Sequence, residues 1–142
     1  MEKFKYYTPI QVRYADLDTQ WHVNNTRFLV FIEQGRFAYY QNLELFDGKS
    51  FLDLRMIIAD VHVAYKAPIN LGQNIRVGTC VTRIGTKSIT FESIIEDADT
   101  GTVCATAEVV GVCYDFHNHN TMPVPAAWRE KLTAFEGKVI NG

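Results

Sequence analysis

Apolar and polar positions change their period several times along the 142 residues, and each change marks an element. Lys5 to Tyr14 is rich in aromatic and β-branched residues and reads as a strand, with Pro9 suited to a sheet edge. From about Asn25 to Asn42, residues Phe28, Leu29, Phe31, Ile32, Ala38 and Tyr39 recur near helical spacing and cover much of the circumference, which predicts a helix buried on most sides. Gly35 within it costs about 1 kcal/mol relative to alanine, so a neighbouring backbone is expected to come close there. Beyond the loop at Asp47 to Lys49 the period falls to two. Arg55 to Tyr65 alternates, with Val61, Val63 and Tyr65 facing one way and Asp60, His62 and Ala64 the other, the pattern of a half-buried strand. Asn74 to Arg83, Ser88 to Glu96 and Thr102 to Tyr114 alternate in the same way, punctuated by a turn at Gly85 and by DADTG at Asp97 to Gly101. A short helix is predicted over Ala126 to Phe135, after Pro125, and the polar residues 136–142 read as a flexible tail.

One long apolar helix followed by hairpin-connected strands is best buried if the sheet curls around it, so the chain is expected to be a single α+β domain spanning 1–142. A helix sheathed on one side keeps a second side, and an open sheet keeps its edges. Edge-to-edge association answers both, which predicts a homodimer or homotetramer.

Composition narrows the classes further. A 47% hydrophobic chain of this length buries a core without disulfides or metal. The formal charge of -2 and a pI of about 6.1, with no basic run, argue against nucleic acid as a partner. Cys80, Cys104 and Cys113 are odd in number, form no C-x-x-C pair and read as reduced thiols within strands. No apolar run approaches the ~20 residues of a membrane span, and the first nine residues lack a secretory apolar region. A cytoplasmic location is expected.

The chemistry concentrates in YADLDTQWHVNNTRF, Tyr14 to Phe28, where two aspartates, a histidine and two asparagines precede the helix. One short polar residue suffices as a cap, and Asn24 fills that role. From the residues alone, Asp16 reads as a structural carboxylate in a turn and Asp18 as a cap or loop residue. His22 carries an imidazole, a side-chain type that suits a base, a relay, an orienting group or a simple pin for the loop. Glu33 and Arg36, three apart on the helix, form at least a surface ion pair of about 0.2–0.5 kcal/mol. Arg83, Lys87 and Ser88 surround the glycine turn, either as a solvated tip or as phosphate ligands, and Lys66 is a further basic group. His117 and His119 make an H-x-H pair with only Asp115 nearby, so no metal site is predicted and a polar loop is the better reading.

The pattern D-x-D-x-x-x-H-V-N-N at Asp16 to Asn25 resembles the 4-hydroxybenzoyl-CoA thioesterase family of the hotdog fold. Glu33 and Arg36 in E-x-x-R spacing, YKAP at Tyr65 to Pro68, Gly72, and RIGTKS at Arg83 to Ser88 extend the likeness over nearly the whole chain. The resemblance implies a curved antiparallel sheet wrapped around one central helix, and hydrolysis of an acyl-CoA thioester. It implies Asp18 as nucleophile or general base, and the backbone N–H of Asn25 as oxyanion donor. Glu33 is the fallback carboxylate, because other branches of the fold carry theirs on this helix. Arg83, Lys87, Ser88 and Lys66 would contact the CoA portion. No metal or redox cofactor is implied, CoA being part of the substrate. The chain departs from the family at Trp21, where glycine usually stands. An indole takes positive φ only at a cost, so the loop is expected to be reshaped, with Trp21 narrowing the acyl pocket or packing across a dimer contact. Two other readings stay open, a thioesterase for acyl carrier protein and a non-catalytic acyl-CoA-binding module.

Overall fold

The computed structural model describes residues 2–141. Strand β1 (Tyr6–Ile10) leads through a 3-10 turn (Tyr14–Asp16) to helix α1 (Asn25–Asn42). Strands β2 (Met56–Tyr65), β3 (Ile75–Ile84), β4 (Ser88–Asp97) and β5 (Val103–Asp115) follow. The short strand β6 (Asn120–Thr121), helix α2 (Ala126–Glu136) and strand β7 (Ile140–Asn141) complete the described chain. The sheet runs β1-β3-β4-β5-β2 with every neighbouring pair antiparallel. The first strand is shorter than its sequence pattern suggests, because the chain leaves the sheet at Ile10 to enter the 3-10 turn.

The period-2 pattern puts Ile75, Val77, Thr79 and Val81 of β3, Phe91, Ser93 and Ile95 of β4, and Ala105, Ala107 and Val109 of β5 inside. Helix α1 lays Phe28, Phe31, Ile32, Gly35 and Tyr39 on that concave surface, chiefly over β1, β3 and β4. At Gly35 an added Cβ would lie 2.7 Å from Val77 Cγ1 and 3.2 Å from Thr79 Oγ1. Side chains of β3, and not a neighbouring backbone, are therefore what approach this glycine. This is the hotdog arrangement expected of the chain, a curved sheet holding one long helix.

Two expectations about burial change. Helix α1 buries one broad face only, and Leu29, Val30, Glu33, Gln34 and Phe37 form an exposed stripe along the other. Strand β2 is the sheet's edge, and α1 does not cover its inner face, so among the described strand residues only Met56 is buried. Ile58, Val61 and Tyr65 remain 42%, 45% and 49% exposed. Alternation thus records which way β2 side chains face, while the edge position decides how wet they are.

Residues 136–141 also differ from the expected tail, whose last residue, 142, lies outside the described residues. Glu136 is the buried last residue of α2, and its carboxylate accepts hydrogen bonds from the Tyr39 hydroxyl and from the backbone N–H of Val81, the latter at 2.9 Å. Burial, then this carboxylate, drive the Tyr39 phenol far above its ordinary pKa. Strand β7 pairs parallel with the end of β3. Arg129 of α2 donates to the carbonyl of Gly85 at 2.7 Å and so braces the β3–β4 turn.

Candidate active site

The segment between β1 and α1 is shaped by its polar side chains. Asp16 is buried and accepts from the Arg13 backbone N–H at 2.8 Å, with the Arg13 and Arg27 guanidinium groups at 3.3 and 3.8 Å. Its own carbonyl accepts from Asn24 N–H at 2.8 Å and so ties the turn to the helix start. This is the structural carboxylate expected at Asp16. Further on, Asp18 N–H donates to the His22 carbonyl at 2.8 Å, Trp21 N–H donates to the Asp18 carbonyl at 3.1 Å, and Gln20 N–H donates to Asp18 Oδ1 at 2.8 Å. The result is a tight loop that presents the second carboxylate oxygen of Asp18 free of any bond to a described residue.

Trp21 has φ 64, the left-handed conformation a glycine would take, at a cost of about 1–2 kcal/mol. The backbone carries this strain at Trp21. The indole is 66% exposed and lies 6.2 Å from the Tyr14 ring, lining a hollow on the other side of Asp18. It does not line the cleft described next.

Asp18, His22, Asn25, Phe28, Tyr65 and Lys66 line one cleft of about 380 Å³. Asn24 caps α1, its side chain accepting from Thr26 N–H at 3.0 Å and its carbonyl from Arg27 N–H at 2.8 Å. The N–H of Asn25, the first helical residue, donates to no described residue. An unpaired donor at the positive end of a helix and a carboxylate thus share the cleft. The YKAP segment holds its far wall. Tyr65 donates to the Asn25 carbonyl at 2.9 Å and packs edge-on against Phe28, while Lys66 and Ala67 N–H groups donate to the Cys104 carbonyl.

The loop's position also depends on residues outside the motif. Val23 N–H donates to Ile69 at 2.8 Å, and His22 bridges to Asn70. Asn70 N–H in turn donates to the Gln73 side chain at 2.6 Å, and Gln73 donates to Asp97 at 2.8 Å. Tyr65 and Gln73 were legible only as members of, or neighbours to, the YKAP and Gly72 matches. Their hydrogen-bonding roles carry no local signature.

The remaining candidates lie elsewhere in the chain. Glu33 is about 12 Å along α1 from Asn25 and opens on a different cavity. Arg36 beside it is buried, and among the described residues no carboxylate lies within 4.0 Å, so the expected surface ion pair is not formed. Arg83 is exposed, and Lys87 donates to Thr121 at 3.0 Å. Ser88 pairs with Val112 of β5, whereas Tyr65 pairs with Ala105, about 23 Å away along that strand. Within one chain the glycine turn therefore stands at the opposite end of the sheet from the cleft. His117 faces Asp53 at 3.5 Å in an exposed loop, and Asp115 accepts from the Asn118 side chain and from the Asn118 and His117 N–H groups, which hold its carboxyl below the usual range. Burial pushes the thiols of Cys80 and Cys113 up to about 12 and about 11 and raises Cys104 as well, so at neutral pH all three are protonated and unreactive.

Comparison with known proteins joins this geometry to a family. The model of the Thioesterase-like superfamily matches residues 12–132, from the end of the first loop to α2. The long-chain acyl-CoA thioesterase FadM of Escherichia coli is 27% identical over 125 residues, covering 88% of this chain and 95% of that protein. Among solved structures, a thioesterase from Thermus thermophilus complexed with coenzyme A and zinc is 30% identical, with a TM-score of 0.86 over 99% of this chain and 100% of that one. A predicted thioesterase from Bacillus stearothermophilus is 31% identical, with a TM-score of 0.84 over 96% and 98% of the two chains. With a matching family model across most of its length and the same fold in relatives at this identity, the chain belongs to the Thioesterase-like superfamily.

Proposed function

We propose that the chain hydrolyses acyl-CoA thioesters, with Asp18 as the attacking or water-activating carboxylate and the Asn25 N–H as the oxyanion donor. The observation that carries this reading is that both groups line one cleft, each with an unused hydrogen-bonding position. A thioester carbonyl needs an oxygen nucleophile and somewhere for its own oxygen to hold charge, and its thiolate leaves with little protonation help. The free oxygen of Asp18 meets the first need, either by attacking the carbonyl to form an anhydride that water then opens, or by taking a proton from the attacking water. Asn25 N–H meets the second, and such a donor contributes about 3–4 kcal/mol where it has been removed elsewhere. His22 acts chiefly as a loop pin through its backbone bonds to Asp18 and Asn70. As proposed, the reaction needs no metal or redox cofactor.

A homodimer fits the uncovered edge. If β2 pairs antiparallel with β2 of a second copy about a two-fold axis, its Ile57 end lies beside the other copy's Tyr65 end. The turn carrying Arg83, Lys87 and Ser88 of one copy then approaches the cleft of the other, where its cations and hydroxyl suit CoA phosphates. Lys66 already lines that cleft. The three unreactive thiols suit a reducing cytoplasmic setting.

The test is a panel of acyl-CoA esters of graded chain length, assayed by released thiol, with the same acyl groups on acyl carrier protein as a second arm. CoA esters should be the better substrates, and Asp18→Asn should lower kcat by about 100-fold or more with CoA binding retained. Undiminished turnover in Asp18→Asn would sink the assignment.

A further inference from the structure

We infer that Arg129 of α2 is a positioning residue for the CoA end of the substrate, holding the peptide planes of the β3–β4 turn so that their N–H groups meet phosphate beside Arg83 and Lys87. This rests on the contact proposed above between that turn and CoA, and it brings in a helix that takes no part in the Asp18 cleft. The turn does not close itself. A β-turn usually closes through a bond from the N–H of its fourth residue to the carbonyl of its first, and the two-residue hairpin turns that match strand twist need positive φ. Neither Gly85, Thr86 nor Lys87 has positive φ, and no described backbone N–H donates to the Gly85 carbonyl. The guanidinium takes that place. Its Nη2 donates to the Gly85 carbonyl at 2.7 Å, while Nη1 donates to Asn141 Oδ1 at 2.8 Å and reaches the Ile84 carbonyl at 3.5 Å.

The next two carbonyls are held in the same way. Thr86 accepts from the Val124 N–H at 2.9 Å and Lys87 from the Cys113 N–H at 2.7 Å, so three successive carbonyls are engaged by donors of the surrounding protein. In a trans peptide the N–H points opposite to the carbonyl. The Thr86 and Lys87 N–H groups are therefore turned away from those donors, and neither donates to a described residue. The side chains of Arg83, Thr86 and Lys87 are exposed around them. Oriented amides flanked by cations and a hydroxyl suit phosphate oxygens. Without the guanidinium, the carbonyl of the buried Gly85 has no described donor. It regains a partner by rotating toward water, which swings the Thr86 N–H away from the ligand. Arginine suits the task because its planar fork holds the turn and Asn141 at once, which a lysine ammonium does not reproduce.

The experiment measures CoA binding to the full chain by calorimetric titration, and hydrolysis of one acyl group carried either on CoA or on pantetheine, which has no phosphate. Arg129→Met should weaken CoA binding and raise KM for the CoA ester by about tenfold each, with kcat on both esters and KM for the pantetheine ester within about twofold of the unmodified chain. A merely structural role would instead move both esters together, and that result overturns the inference. Arg129→Lys, which keeps the charge and loses the fork, should lose about threefold in CoA affinity. It decides the matter if Arg129→Met does not fold, since CoA affinity equal to that of the unmodified chain then overturns the inference. Arg83→Met separates this inference from the reading beneath it. If Arg83→Met weakens CoA and the Arg129 variants do not, the role of Arg129 alone is overturned. If none of these variants weakens CoA, or the unmodified chain does not bind it, the contact between the turn and CoA falls as well. The binding arm stands whether or not the chain hydrolyses any thioester.

Discussion

Asp16 and Asp18 stand two residues apart and have opposite surroundings. The first is buried among Arg13, Arg27 and backbone donors, and the second lines a cleft and keeps one oxygen without a bond to a described residue. The 3-10 turn ending at Asp16 separates them, since in an extended segment both would face the same way. The two should therefore fail differently when neutralised. Asp18→Asn is expected to cost activity with thermal stability changed by less than about 0.5 kcal/mol. Asp16→Asn is expected to cost on the order of 2 kcal/mol of stability by weakening charge-assisted hydrogen bonds. Thermal unfolding run beside a thioester assay separates the two effects.

Trp21→Gly should stabilise the chain by on the order of 1 kcal/mol, because glycine adopts the left-handed backbone without strain and only an exposed ring contact with Tyr14 is lost. A denaturant midpoint that falls on this substitution would show that the indole contributes more packing than the strain costs.

Gly35→Ala should do the reverse. Its methyl would press on Val77 Cγ1 and Thr79 Oγ1, both on a buried strand that cannot swing aside, so a loss of about 1–3 kcal/mol is expected despite alanine's better helix propensity. Chemical unfolding reads this directly. A double variant with Val77→Ala should recover part of the loss.

Asp97 supports the loop through Gln73, whose side chain is the chief reason its carboxyl lies below the usual range, with Asp99 and Thr100 N–H groups adding to it. Because the folded pKa is depressed, the stabilisation is fully present above the unfolded value of about 4 and is lost as pH falls through the folded one. Stability measured downward from pH 5 should therefore decline, and Asp97→Asn should flatten that decline.

Local features were legible in the sequence and relational ones were not. The bounds of α1 at Asn25 and Asn42 follow from a cap and an uninterrupted helical period, both contained within the segment. The cleft was legible as far as the motif reaches, because Asp18, His22 and Asn25 are brought together by bonds inside one loop. The exposure of Ile58 and Val61 could not be read, since it depends on β2 being the strand that ends at the edge. Arg36 and Glu136 look like ordinary surface charges in sequence. Their burial is decided by Tyr40 and Met56 in one case and by Tyr39 and Val81 in the other. The distance between the Arg83–Ser88 turn and Asp18 likewise depends on sheet order, which no local pattern encodes.

The anchoring of Glu136 beneath the central helix bears on how the protein is made. Domains fold as their chains emerge at roughly 5–20 residues per second. Here a phenol on the central helix and an amide on an interior strand wait for an acceptor that lies 97 and 55 residues further along the polypeptide. A ribosome stalled or released before that codon yields a product whose core holds two unanswered donors. Such a product is marked for chaperones and proteases even though the loop bearing Asp18 was completed long before.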